Sequence, residues 1–193
     1  MMNIQKIPLF ESFNNDCLII VDVQKPFEKW WIKNGNPDLV NQINNFCKHF
    51  SEVYQIWDDH ECDKPSYVFN NEVFALKKTF GVGNPDGEIY DYSEYFDGDT
   101  LNDVYELMDS KVLEPMIFKR KDGNYAVLVN GSHKWFLPSK EFVDFLSNIN
   151  KNIILVGGAE GECLKDIEVL LQLLNKKFYV NREYTYNAHD VSN

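Results

Sequence analysis

The chain has 193 residues, of which 44% are apolar, 15% aromatic and 25% charged; this excludes a disordered or low-complexity polypeptide and suffices for one well-filled core. Nineteen basic against thirty acidic residues give a net charge of −11, which repels phosphate backbones and anionic lipid and so argues against nucleic acid or a membrane as partner. No apolar run reaches the roughly 18 residues that span a bilayer. Met1 to Asp16 lacks a basic flank ahead of an apolar block, so a cytoplasmic location is expected. The cysteines Cys17, Cys47, Cys62 and Cys163 have no CxxC spacing and read as reduced thiols.

Cys17 to Val21 is a short continuous apolar run, the pattern of a strand buried on both faces. After Pro37, the residues Leu39, Ile43, Phe46, Cys47 and Phe50 form a helical stripe, and Val53 to Trp57 is rich in strand formers. Strand, helix and strand in that order predict a parallel pair joined by a crossover helix. From Asp58 to Glu114 the pattern weakens into an aromatic, Gly- and Asp-rich stretch with a modest helical signal near Leu101 to Met108; so long a stretch without clear elements reads as functional or locally mobile. The alternation then resumes. Pro115 to Phe118 reads as a strand, a helix from about Ser139 carries Phe142, Val143, Phe145, Leu146 and Ile149, and Ile153 to Val156 is a further strand. Cys163 opens a helix whose apolar face is Leu164, Ile167, Leu170, Leu171 and Leu174, and Phe178 to Val180 is the last strand. The class is α/β with a mostly parallel sheet, taken as a single domain over residues 1–193.

Ligands of such sheets bind beyond the carboxyl ends of the strands, which directs attention to Asp22, Asp58, Lys119 and Gly157 to Cys163 as residues facing one crevice. A thiol at a helix amino terminus meets unpaired backbone N–H groups and the positive end of the macrodipole, so Cys163 is placed as a nucleophile; thiol pKa values in such settings fall to about 3.5–7.5. The preceding Gly157-Gly158-Ala159 permits the close backbone approach an oxyanion-binding turn needs. Each residue also has a plainer reading. Cys163 can be a small apolar cover for the helix start, Asp22 a turn or cap residue, and Lys119 a solvated cation beside Arg120 and Lys121.

Taken jointly, an Asp, a Lys and a Cys each following a strand, in that chain order, resemble the isochorismatase-like cysteine hydrolases, the group of isochorismatases, nicotinamidases and N-carbamoylsarcosine amidases. The matching segments run from about Cys17 to Tyr179. They include LIIVDVQKPF at Leu18 to Phe27, with the family's Asp-x-Gln followed by Phe. They also include Gly83-Asn84-Pro85-Asp86-Gly87-Glu88-Ile89, similar to a family loop beside the active site, and Gly157-Gly158-Ala159-Glu160-Gly161-Glu162-Cys163, similar to its nucleophile turn.

The resemblance implies a three-layer α/β/α fold of isochorismatase-like, Rossmann-like topology, a homo-oligomer, and hydrolysis of a small-molecule amide, carbamoyl or ureido substrate. It gives the nucleophile to Cys163, the proton-accepting role to Asp22 and the lysine to Lys119, with Lys121 as the alternative. Backbone N–H groups at Gly158, Ala159 and Cys163 would form the oxyanion hole, with a cis peptide between Gly158 and Ala159. Candidate substrate contacts are Gln24, Phe27, Trp30, Trp31 and Tyr125, the tryptophans reading equally well as core.

Two departures stand out. Nicotinamidases hold a metal through Asp-x-His and further histidines; Asp58 and His60 match the pair, but Lys64 and Thr79 occupy the later positions, so no catalytic metal and no cofactor are expected. Glu160 replaces the usual Thr and brings a like charge toward the thiol. Vinyl-ether cleavage of the isochorismatase type, which in this family does not depend on the thiol, and a catalytically idle small-molecule receptor are the alternative functions.

Overall fold

The computed structural model describes residues 13–57, 73–77, 89, 91–110, 114–130 and 132–188. They fall into two compact units, one comprising Met1–Lys77, Asn150–Leu164 and Lys177–Asn193, the other Lys78–Ile149 and Lys165–Lys176. Eight strands and five α-helices are present among the described residues. No helix among them is long and apolar enough to cross a membrane.

The first unit is α/β, a parallel sheet with helices packed against it. Its strands are β1 (Asp16–Val21), β2 (Val53–Trp57), β3 (Val73–Lys77), β7 (Asn152–Glu160) and β8 (Phe178–Asn187), in the order β3-β2-β1-β7-β8 and parallel at every pairing. Cys17 to Val21 are all fully buried, as a strand flanked on both sides and covered on its faces requires. The helix α1 spans Glu28–Lys33 and α2 spans Leu39–Cys47. The stripe of Leu39, Ile43, Phe46 and Cys47 on α2, together with Trp31 of α1, packs into one core with Leu18, Ile20, Val53, Ile154, Val156 and Tyr186. Spacing of three and four residues puts the α2 side chains on one face, so the predicted stripe is the buried one.

From β1 the chain winds outward through β2 to β3, then crosses back to lay β7 on the other side of β1. The reversal therefore falls between β1 and β7. Their register pairs Asp16 with Asn152 and Val21 with Gly157. At that last pair the two backbones meet closely: a Cβ on Gly157 would lie 2.1 Å from the Val21 carbonyl oxygen, and Gly157 has φ +96°. Both the space and the dihedral admit only glycine.

The second unit holds a three-stranded antiparallel sheet of β4 (Met116–Lys119), β5 (Tyr125–Asn130) and β6 (Ser132–Phe136), in that order. The sequence reading placed the strand ending at Phe118 in the parallel sheet; here it pairs antiparallel with β5 through a tight turn. Arg120 donates its N–H to the Asn124 carbonyl at 2.8 Å, Asp122 accepts from the Asn124 N–H at 3.0 Å, and Gly123 sits at φ +88°. With α3 (Gly98–Asp109), the sheet encloses Ile89, Phe96, Val104, Ala126, Leu128, Trp135 and Leu137. α4 (Lys140–Asn148) begins where Ser139 accepts from the Phe142 N–H at 3.1 Å, a side-chain cap at the predicted start. α5 (Cys163–Leu173) opens in the first unit and continues into the second.

Replacing Gly157 with Ala adds a steric clash to left-handed strain. It is expected to destabilise the chain by about 3 kcal/mol or more, read as a lowered denaturation midpoint; a neutral substitution would show that β1 and β7 do not approach as described. A second outcome follows from the core thiols. Burial pushes Cys17 and Cys47 up to about 12, so their neutral form is favoured in the folded state. The resulting stability is fully present below the ordinary thiol pKa of about 8.5 and is lost as pH rises toward the folded value, because unfolded thiols ionise first. Denaturant titration at about pH 10.5 should show a loss of roughly 2–3 kcal/mol per thiol relative to neutral pH, and the loss should shrink in the Cys47→Ala chain.

Candidate active site

Polar side chains are scarce in the interior: among the described residues the buried polar ones are Asp22, Gln24 and Gln55. Two of the three follow β1 directly, at the end where the winding reverses. A carboxylate at 1% exposure is costly to bury unless its surroundings answer it with hydrogen bonds or charge.

Asp22 takes φ +48°, the left-handed region that few residues other than glycine enter. Two hydrogen bonds hold its main chain in that geometry. Its N–H donates to the Ile56 carbonyl at 2.8 Å, and its carbonyl accepts from the Tyr186 hydroxyl at 2.7 Å. The side chain therefore leaves a main chain fixed from β2 on one side and β8 on the other. Gln24 is fully buried two residues on, and its carbonyl accepts from the Phe27 N–H at 2.9 Å, starting the turn that leads into α1.

The segment from Gly157 to Glu160, read from sequence as a turn, is extended and forms the end of β7; only Gly161 and Glu162 separate it from α5. Gly158 pairs with Tyr186, and a Cβ there would fall 2.7 Å from the tyrosine ring. The Gly158–Ala159 peptide is cis, at the bond the resemblance designates. Glu162 donates its N–H to the Ala159 carbonyl at 3.1 Å, which removes that amide from the set that could hold an oxyanion. Cys163 is the first residue of α5 and is partly exposed, unlike the buried Cys17 and Cys47. The Glu160 carboxylate is taken up by Arg182 at 2.7 Å and by the Thr185 hydroxyl. Its charge is thus countered within the same unit, which weakens the like-charge effect expected from its sequence position.

The remaining sequence candidates divide as follows. Trp31, at 1% exposure, packs its ring against Tyr186 with centroids 5.3 Å apart, and is core rather than pocket wall. Phe27 and Trp30 are partly buried against the same core. Lys119 and Tyr125 face each other as a β4–β5 pair in the second unit, with Lys119 exposed. Among the described residues no group accepts from the Lys119 ammonium. The Lys121 ammonium donates to the Ser93 carbonyl at 2.9 Å, and Arg120 pairs with Asp122 at 2.8 Å while lying over the Tyr95 ring. Asp58, His60, Cys62, Lys64, Thr79 and the loop from Gly83 to Glu88 lie outside the described residues. Sequence reasoning passed over Tyr186 and Arg182, although the alternation of Tyr184 and Tyr186 at the end of β8 is a strand signal.

No protein-family model matches the chain, and comparison with curated proteins and with solved structures returns no significant match.

Iodoacetamide at neutral pH is expected to label Cys163 ahead of Cys17 and Cys47, which are buried and held protonated. Peptide mapping over a time course checks this. Equal, slow labelling of all three would show that Cys163 has no special reactivity.

Proposed function

We propose that this chain is a cysteine-dependent hydrolase of the isochorismatase-like group, acting on a small amide, carbamoyl or ureido compound through an acyl-thioester. The observation that carries the reading is the position of Asp22 and of the segment leading to Cys163. They follow the two adjacent strands between which the winding reverses, and it is outside the carboxyl ends of such strands that open α/β sheets bind ligands.

In this reading the Asp22 carboxylate takes the thiol proton as the Cys163 sulfur attacks the substrate carbonyl carbon. The oxygen of that carbonyl gains negative charge and is held by backbone N–H groups of the Gly158 to Cys163 segment, now without that of Glu162. Fixed dipoles aimed at a developing charge need no reorganisation during reaction. Collapse of the tetrahedral intermediate breaks the C–N bond, and Asp22 returns its proton to the departing nitrogen. Water then adds to the thioester carbonyl, the C–S bond breaks, and the acid leaves with the thiol restored. The resemblance assigns a lysine to the same chemistry.

The test is a hydrolysis screen with nicotinamide, carbamoyl and ureido compounds, with Cys163→Ala as control. The variant is expected to lose several orders of magnitude in turnover, about 10⁴-fold or more, at unchanged stability. Wild-type amidase rates in the variant would overturn the mechanism. Vinyl-ether hydrolysis of isochorismate that survives the substitution would instead place the chain with the thiol-independent members of that group.

A further inference from the structure

We infer that Tyr186 is a positioning residue for the proposed centre, holding the main chain of Asp22 and the backbone of Gly158 in one geometry. The inference rests on the proposed roles of Asp22 and Cys163 and extends them to a residue on β8 that the motifs do not include.

Three observations within the first unit converge on this side chain. Its hydroxyl donates to the Asp22 carbonyl at 2.7 Å across 164 residues of sequence. Its ring covers Gly158 so closely that an added Cβ would come within 2.7 Å of it, and its backbone pairs with Gly158 in the β7–β8 register. The ring itself is 2% exposed and buttressed edge-on by Trp31. One rigid phenol thus touches the backbone on both sides of the reversal point, the residue proposed as base and the strand end that leads to the nucleophile.

The physical need for such a clamp comes from Asp22. A non-glycine residue in the left-handed region persists where its surroundings over-determine it. The hydrogen bond from its N–H to Ile56 fixes one flanking peptide, and the Tyr186 hydroxyl fixes the other. With both peptides held, the direction in which the Cβ leaves the backbone is set, and with it the origin from which the carboxylate reaches. Loss of the hydroxyl frees the second peptide to rotate and lets the carboxylate drift, while the phenyl ring keeps its packing. Tyr186 acts through Asp22 and is not itself proposed to meet the substrate.

Iodoacetamide alkylation of Cys163 in the full chain, followed by mass spectrometry from about pH 5 to about pH 10, reads the charge that the thiol experiences. Wild type is compared with Asp22→Asn, Tyr186→Phe and Ile43→Val, the last trimming the same core without removing a polar group. A carboxylate near a thiol disfavours the thiolate, so Asp22→Asn is expected to move the alkylation midpoint down by about one pH unit. Tyr186→Phe is expected to move it in the same direction by about half as much, and Ile43→Val to leave it in place. A Tyr186→Phe midpoint equal to wild type, alongside a shifted Asp22→Asn midpoint, would overturn the positioning role and leave the reading of the site standing. Equal shifts in Tyr186→Phe and Ile43→Val would reduce Tyr186 to packing and likewise overturn it. An unshifted Asp22→Asn midpoint would remove both this inference and the assignment of Asp22 as the base.

Discussion

The close approach of the Val21 carbonyl to Gly157 is the constraint on which the first unit turns. A sheet whose winding reverses must place two strands side by side that are 136 residues apart at their first pair, Asp16 and Asn152, with no short connection to set their register. The register is set by what fits. β1 offers a continuous apolar ribbon that any parallel neighbour could pair with; at its carboxyl end, the partner must have no Cβ and must tolerate a positive φ. Gly157 meets both conditions, and a slip by one residue would drive Val156 into the Val21 carbonyl while turning every β7 side chain to the opposite face.

Once that register is set, the polar groups follow. Asp22 is one residue beyond the contact on β1, and Gly158 is one residue beyond it on β7. β8 then lays Tyr186 over Gly158 and toward Asp22. The same strand supplies Arg182 and Thr185 to Glu160. A carboxylate that from sequence alone looks like a repulsive neighbour for the thiol is drawn into an ion pair with a residue 22 positions further on. Electrostatics at this end of the sheet is a property of strand neighbours, and sequence neighbours misrepresent it.

Much of the architecture was legible. The run Cys17 to Val21 suits a strand buried on both faces, because five consecutive apolar residues leave no polar side to turn outward. The α2 stripe and the Ser139 cap carry their periodicity and their hydrogen-bond acceptor in the sequence itself. The antiparallel sheet of the second unit was less well read. Asp122-Gly123 between Met116 to Lys119 and Tyr125 to Asn130 is a hairpin signal, but a strand–helix alternation on either side of it suggested another parallel strand. Propensity identifies that a segment is extended. It does not say which strand accepts its hydrogen bonds.

Sequence by itself determined the local facts: which stretches are apolar enough to be buried, and that Asp22 and Cys163 each follow a strand. Those facts depend on side-chain chemistry and on steric limits that act within a few residues. Tertiary structure alone decided that β1 and β7 are neighbours, that Trp31 packs against Tyr186, and that Tyr186 reaches the Asp22 carbonyl. Each of these joins groups far apart in the chain, and such pairings are chosen by mutual fit and by the satisfaction of buried backbone groups, which no short window of sequence contains.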